Sequence, residues 1–399
     1  MRVCLISQEF PWREPFGGIG VSTLDMARAL ARAGHEVQVV TQSPGSDWVD
    51  STESGARIIG IPFDPFSRLP ERLAEFSSLR CFAWSREVAR CFATGRVEPV
   101  DIVEAPAMGG EALSLQRRRQ RPPVVIKIHG GTSLHLKTMG CYRWYHYPVL
   151  RRERTSVLLA DGTAAVSEQT RRENEGHYRL SLRNAVTIPN PIDTDRFSPP
   201  PQRAADKTLI LFAGRLDAVK GFDRMPEIMQ RVLSAEASVR FVCVGAKDRF
   251  ISSTETRLPE EFVRDCLSVE HLKRIALPGR IEHDSMHQVY QGADIFVAPS
   301  RSEAWSRVCA EAASCGMPVV GSRDTGMESV IVNGKTGFLE RHDDPAAFAE
   351  RLLHLVRDRS ARERMGRAAR EHAVSEFGYK AFAAKCLAFY EKTVRSCKR

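Results

Sequence analysis

Short runs of β-branched and aliphatic residues alternate with helical stretches along this chain, which is the pattern of parallel βαβ units. Residues 3–7 read as a strand, 22–33 as a helix and 37–41 as the next strand. Strand candidates at 58–61, 102–104, 124–129, 162–166 and 185–188 complete one sheet. The tract 198–206 then breaks the rhythm, because it is proline-rich, has no apolar period and reads as a linker. A second series follows, with strands at 208–212, 239–244, 275–277, 295–298 and 318–320, and helices that include 224–233 and 346–356. One architecture is therefore expected twice, as domains 1–198 and 207–378, and 399 residues suffice for two such domains. No internal sequence repeat accompanies the likeness.

Composition narrows the class. A hydrophobic fraction of 43% and a charged fraction of 27% are ordinary for a soluble protein. No window reaches the roughly 18 uninterrupted apolar residues that a membrane span needs. Met1 to Ser7 run directly into a strand pattern without the features of a signal peptide, so a cytosolic location is expected. Ten cysteines are scattered with no CxxC pair, which points to reduced, mostly buried thiols. The net charge of +9 gathers at 117–121, 151–154, 171–172 and Lys398-Arg399. A solvated face explains most of it, and no module of interleaved aromatic and basic residues argues for nucleic acid. An encounter with the inner face of an anionic membrane stays open.

Two stretches of the second half carry the chemistry. Gly214-Arg215-Leu216-Asp217-Ala218-Val219-Lys220-Gly221 follows a strand directly. A guanidinium and an ammonium at such a place suit an anionic leaving group, whose charge grows in the transition state. Further on, Glu303 and Glu311 stand eight residues apart between Pro299-Ser300 and Gly316-Met317-Pro318. A carboxylate accepts hydrogen bonds from two neighbouring hydroxyls, so Glu311 on a helix 308–314 suits a diol. A glycosidase would use the pair as acid and base, but that leaves Arg215, Lys220 and the doubled architecture unexplained. In the first half, Gly17, Gly18 and Gly20 lie between the first strand and first helix, where an anion could dock. His129, before Gly130 and Gly131, ends a strand at its carboxyl end, where open α/β sheets place ligands.

The segment PSRSEAWSRVCAEAASCGMPVVGS, 299–322, resembles the donor-site signature of the family 4 glycosyltransferases, and landmarks match in order from the first strand to the last helix. These are retaining α/β enzymes of the GT-B fold, two facing Rossmann-like domains with a cleft between them. The resemblance implies transfer of a sugar from a nucleoside diphosphate to an acceptor hydroxyl, with no metal and no cofactor beyond a UDP- or GDP-sugar co-substrate. It assigns Arg215 and Lys220 to the diphosphate, Glu303 to the hexose and Glu311 to the ribose. Backbone amides of Ala304, Trp305 and Ser306 approach the sugar and phosphate, and the loop 278–281, with Arg280 and Ile281, holds the base. Gly17 and Gly18 lie near the donor phosphate, and His129 contacts the transferred sugar. His129, Arg215, Lys220 and Glu303 form the catalytic set, and the helix 379–399 crosses back onto the first domain. Two departures stand out: Ser306 replaces a frequent glycine, and Asn190-Pro191-Ile192-Asp193 has proline where glycine is usual. A hydrolysing sugar-nucleotide epimerase and a non-catalytic sugar-nucleotide sensor are the competing readings. The acceptor, be it a glycan, a lipid-linked sugar or a small molecule, has no motif in the loops 62–80 and 132–147. There Phe63, Phe66, Trp144, Tyr145 and Tyr147 are expected in the core slightly ahead of a stacking role.

Overall fold

In a computed structural model of the chain, residues 1–12, 18–64, 77–132, 134, 136, 140, 142–182, 185–201, 207–247, 251–252 and 255–398 are described. The chain divides into two compact units, Met1–Pro191 with Tyr379–Arg399, and Ile192–Gly378.

In the first unit, strands β1 (Arg2–Ile6), β2 (Glu36–Gln42), β3 (Val49–Glu53), β4 (Ala56–Ile61), β5 (Ile102–Pro106), β6 (Val124–Ile128), β7 (Gly162–Ala165) and β8 (Val186–Thr187) form a sheet in the order β3-β4-β2-β1-β5-β6-β7-β8. Every neighbouring pair is parallel except β3 and β4. The inner strands are buried on both faces and so read as nearly unbroken apolar runs. One face packs Cys4, Ile6, Val103 and Ile126 against Trp84 and Val88. On the other, Val3, Leu5, Val39 and Val125 meet Phe382, Phe389 and Tyr390 of the helix Tyr379–Cys397. This last helix also packs along the helix Gly18–Arg32, so the expected return to the first domain is observed. Burial of its aromatic side chains contributes roughly 1.5–3 kcal/mol each. A polar pin adds to it: Tyr390 donates to Glu104 Oε2 at 2.7 Å, while the buried Lys127 ammonium lies 4.8 Å from the centre of the Phe382 ring.

The second unit holds β9 (Thr208–Ala213), β10 (Val239–Val244), β11 (Ile275–Gly279), β12 (Ile295–Ala298), β13 (Val319–Ser322) and β14 (Gly337–Glu340), all parallel, in the order β11-β10-β9-β12-β13-β14. The helices Met225–Ala235 and Pro345–Arg357 pack together over Phe212, Phe241, Ile228, Phe348 and Leu352. Asp344 starts the latter helix by accepting from Ala347 N–H at 2.9 Å, with Pro345 in the first turn.

The two units meet in sequence at Pro191, ahead of the proline-rich tract. Residues 192–198 belong to the second unit because their polar groups are satisfied there. Arg370 donates to the carbonyls of Thr194 (2.7 Å) and Phe197 (3.0 Å), and Gln291 to that of Ser198 (3.1 Å). Most of the tract beyond, 202–206, lies outside the described residues.

The aromatic residues expected in the core divide. Phe63 is buried, but Trp144, Tyr145 and Tyr147 are 85%, 40% and 55% exposed, because the inward face of the helix Tyr147–Leu158 is taken by Val149, Glu153, Ser156 and Val157. Phe66 lies outside the described residues. Cys4, Cys91, Cys243, Cys309, Cys315 and Cys386 are buried, whereas Cys266 and Cys397 are exposed. Among the described residues no helix is long and apolar enough to cross a membrane.

Candidate active site

In the second unit the polar groups singled out from sequence gather at the carboxyl ends of the parallel strands, where such sheets bind ligands. Gly214, just past β9, donates to the Val244 carbonyl at 3.0 Å, and Gly245, just past β10, donates to the Gly279 carbonyl at 3.0 Å. These bonds line up the loops after β9, β10 and β11. Arg280 is exposed at the end of β11 and Ile281 is half-buried.

The loop after β9 turns back on itself. Asp217 Oδ1 accepts from Lys220 N–H at 2.9 Å, and Asp217 Oδ2 pairs with Arg215 Nε at 3.0 Å. Gly221 completes the turn at φ 77°, and a Cβ there would run into the carbonyl of Pro299. The loop after β9 is thereby pressed against the end of β12, and Lys220 is delivered to Glu303. Lys220 Nζ lies 2.7 Å from Glu303 Oε1, which also accepts from Ser300 Oγ at 3.1 Å. The Glu303 side chain is 8% exposed and that of Lys220 is 27% exposed, so the pair is largely shielded. Arg301 fixes the same corner, with a two-pronged ion pair to Asp223 and a bond to the Ala218 carbonyl.

From Glu303 the chain runs through Ala304, Trp305 and Ser306 into the helix Arg307–Ser314. Gly326 N–H donates to the Glu303 carbonyl at 2.8 Å, and the buried Trp305 ring packs edge-on to Phe377 at 5.3 Å. No side chain caps this helix at Ser306, where the positive end of its dipole lies. One turn into the helix, Glu311 is buried, and both oxygens are held: Oε1 by Arg307 Nε at 2.8 Å, Oε2 by Tyr290 Oη at 2.9 Å. Sequence reading placed Glu311 but missed these two partners. The spacing of Arg307 and Glu311 by one helical turn was a usable signal; nothing local pointed to Tyr290.

The first unit holds the remaining candidates. His129 immediately follows β6, and its imidazole is pushed down to about 3 by burial and by the Lys127 ammonium, although part of the residue still reaches solvent. It is therefore neutral at physiological pH, able to donate or accept one hydrogen bond but not to act as a cation. The loop behind it is held by Glu153, a fully buried carboxylate not recognised from sequence. Glu153 Oε1 accepts from Thr132 N–H at 2.6 Å and Gly109 N–H at 3.0 Å, and Oε2 accepts from Tyr178 Oη at 3.4 Å. Only glycine fits at Gly131, because a Cβ there would clash with the Glu153 carboxylate and the Tyr178 hydroxyl. Gly18 begins the first helix with open space around it, and Gly17 lies outside the described residues.

With this geometry in place, the chain can be set beside known proteins. Residues 16–196 match the family model Glycosyltransferase Family 4, and residues 193–372 match Glycosyl transferases group 1. A D-inositol 3-phosphate glycosyltransferase of Xylanimonas cellulosilytica is 28% identical over 95% of this chain and 92% of its own length. The enzyme of that name from Corynebacterium diphtheriae is 27% identical over 98% of this chain and 94% of its own. Among solved structures, sucrose-phosphate synthase from Thermosynechococcus elongatus superposes with a TM-score of 0.79 at 20% identity, covering 99% of this chain and 100% of the other. HepE from Anabaena, solved with UDP and glucose, gives a TM-score of 0.69 at 16% identity, covering 97% and 98%. The shared fold is GT-B.

Proposed function

We infer that this chain, which belongs to the family 4 glycosyltransferases, transfers a sugar from a nucleoside diphosphate to an acceptor hydroxyl with retention of configuration and without a metal. One observation carries the reading. Lys220, Glu303, Arg215 and an uncapped helix start converge at the carboxyl ends of β9 and β12.

A departing diphosphate gains charge as the glycosidic bond breaks. The Lys220 ammonium, the Arg215 guanidinium and the amides that open the helix Arg307–Ser314 stabilise that charge in the transition state more than in the ground state. Glu303 accepts from a hexose hydroxyl and Glu311 from the ribose diol, each retaining lone pairs beyond the bonds it already accepts. The loop of Arg280 and Ile281 takes the base, and we assign uridine on the strength of HepE, which was solved with UDP and glucose. Attack comes from the face the phosphate leaves, and the phosphate oxygen takes the acceptor's proton. No protein nucleophile is assigned. His129 donates or accepts a hydrogen bond at the transferred sugar and stays neutral throughout. We place the enzyme in the cytosol, with a transient encounter at an anionic membrane surface; failure to cosediment with anionic vesicles would remove that encounter.

The test is product analysis by NMR with a UDP-sugar, with and without a chelator. The expected product keeps the donor's anomeric configuration at an unchanged rate in chelator. An inverted product would overturn the mechanism, and a chelator-sensitive rate would overturn metal independence.

A further inference from the structure

A groove of about 810 Å³ lies in the first unit at the amino ends of β1, β5, β6 and β7, the opposite end of the sheet from His129. That volume falls within the roughly 300–1,000 Å³ usual for small-molecule sites. Open α/β sheets bind their substrates at the carboxyl ends of the strands, so this groove is not the substrate crevice of its sheet. Its walls come from Val100 and Asp101 ahead of β5, from the loop ahead of β6, and from the end of the helix Tyr379–Cys397 with Lys398 beyond it. Two of the basic clusters marked in the sequence, 117–121 and the one at Lys398, meet here.

Five cationic side chains, Arg118, Arg119, Arg121, Arg395 and Lys398, line the groove against three acidic ones. Each acid is already paired. Asp101 accepts from the backbone N–H and the guanidinium of Arg2, both at 2.8 Å. Asp161 accepts from Val124 N–H at 2.7 Å and pairs with Arg121, and Glu391 pairs with Arg395 at 2.8 Å. Arg121 also donates to the carbonyls of Gln116 (3.0 Å) and Pro122 (3.1 Å), which pins the loop to the starts of β6 and β7. Arg118, Arg119 and Lys398 are exposed, and among the described residues their side chains have no hydrogen-bond or ion-pair partner. Three such cations around one groove repel one another and favour an anion between them. Val100, Pro123 and Val394 give the groove an apolar side.

We propose that this groove is a second ligand site of the chain, taking a phosphate or diphosphate group on Arg118, Arg119 and Lys398, with the carbon part of the ligand against the apolar side. Guanidinium groups hold phosphate oxygens two at a time, and a lysine adds a point charge. The pairing of Asp101, Asp161 and Glu391 with arginines offsets the repulsion that would otherwise oppose an anion. A soluble phosphate ester and a lipid headgroup present the same chemistry to these three cations, and the site stands whether or not the transferase reading does.

Val100 and Val394 supply the test, because both line the groove and neither carries charge. The full chain is labelled with ¹³C-methyl valine, the two signals are assigned with Val100→Ile and Val394→Ile, and inorganic phosphate, inorganic pyrophosphate and sodium chloride are titrated at matched ionic strength. A saturable shift of both signals with pyrophosphate is expected, and a weaker one with phosphate. The pyrophosphate affinity should fall about tenfold or more in Arg118→Ala/Arg119→Ala, stay partly in Arg118→Lys/Arg119→Lys, and be unchanged in Lys220→Met, which tells this site apart from the proposed donor site. Both arginines are exposed and unpaired among the described residues, so these variants leave the fold intact. Silence with both phosphates, an equal response to chloride, or an affinity that Arg118→Ala/Arg119→Ala leaves intact would each overturn the site. Cosedimentation with phosphatidylglycerol vesicles, lost in the double alanine variant, would make the lipid headgroup the source of the phosphate; pyrophosphate binding without cosedimentation would make it a soluble ester.

Discussion

Replacing Glu303 by glutamine separates two jobs, the contact with Lys220 seen in the structure and the proposed contact with the sugar. In the free protein Glu303 holds Lys220 at 2.7 Å, and with donor bound it is also to hold a hexose hydroxyl. The ion pair is largely shielded, with side-chain exposures of 8% and 27%, so a charge-assisted bond of roughly 1.5–3 kcal/mol is a fair measure of it. The amide oxygen of Glu303→Gln still accepts from Lys220 but without charge, which releases part of that energy to the phosphates. Isothermal titration with UDP should then show an affinity unchanged or up to about tenfold tighter, about 1.4 kcal/mol. Turnover with the intact sugar nucleotide should fall by about ten- to a hundredfold, because the hydroxyl's charged acceptor is gone. Lys220→Met behaves oppositely. It should weaken UDP by about ten- to a hundredfold and cost folding about 1–3 kcal/mol in urea, since Glu303 is left without its counter-ion. If Glu303→Gln weakened free UDP as much as Lys220→Met does, Glu303 would act only by aiming the lysine, and its contact with the sugar would be refuted.

Three further outcomes are expected. Tyr290→Phe removes the bond to Glu311 Oε2 and should raise KM for the donor about three- to tenfold with kcat nearly kept, a loss of about 0.5–1.5 kcal/mol; a kcat effect alone would contradict the ribose assignment. Glu153→Leu should lower stability by about 3 kcal/mol or more in urea and kcat about a hundredfold, whereas Glu153→Gln, which keeps an oxygen for Thr132 and Gly109, should retain most of both. Equal damage from the two variants would argue for charge rather than bonding geometry. The third concerns pH. Glu111, raised from 4.5 to about 8, binds its proton more tightly folded than unfolded. Its contribution is therefore full below about pH 4.5 and is lost as pH rises through 8. The unfolding free energy of wild type in urea should fall relative to that of Glu111→Gln across that window, by about 5 kcal/mol at most at about 1.4 kcal/mol per unit, and a pH-independent difference would refute the raised value.

Much of this molecule was written in local patterns. Burial on both faces of a parallel sheet demands unbroken apolar strands, so β1, β2, β6, β9 and β12 could be placed by eye. β3 escaped because its residues Val49 to Glu53 are mostly polar and exposed on an edge, and only the turn at Ser54 (φ 52°) and Gly55 (φ 85°) marks the hairpin. Arg215, Lys220, Glu303 and Glu311 were legible because a loop after a strand and a helix start have sequence signatures. What those side chains touch was not. The pairing of Lys220 with Glu303, 83 residues apart, depends on β9 and β12 being neighbours in the sheet. Tyr290 reaches Glu311 across the packing of two helices, Glu153 reaches two loops from a buried face, and Glu111 meets Trp84 and Gln8 from two other elements. The sequence by itself determined the doubled α/β architecture and the positions of the candidate cationic and carboxylate residues, because periodicity and turn chemistry are local. Which polar groups satisfy one another, and which cavity they leave open, only the tertiary structure decided, because a buried charge is paid for by partners that chain folding alone brings within 3 Å.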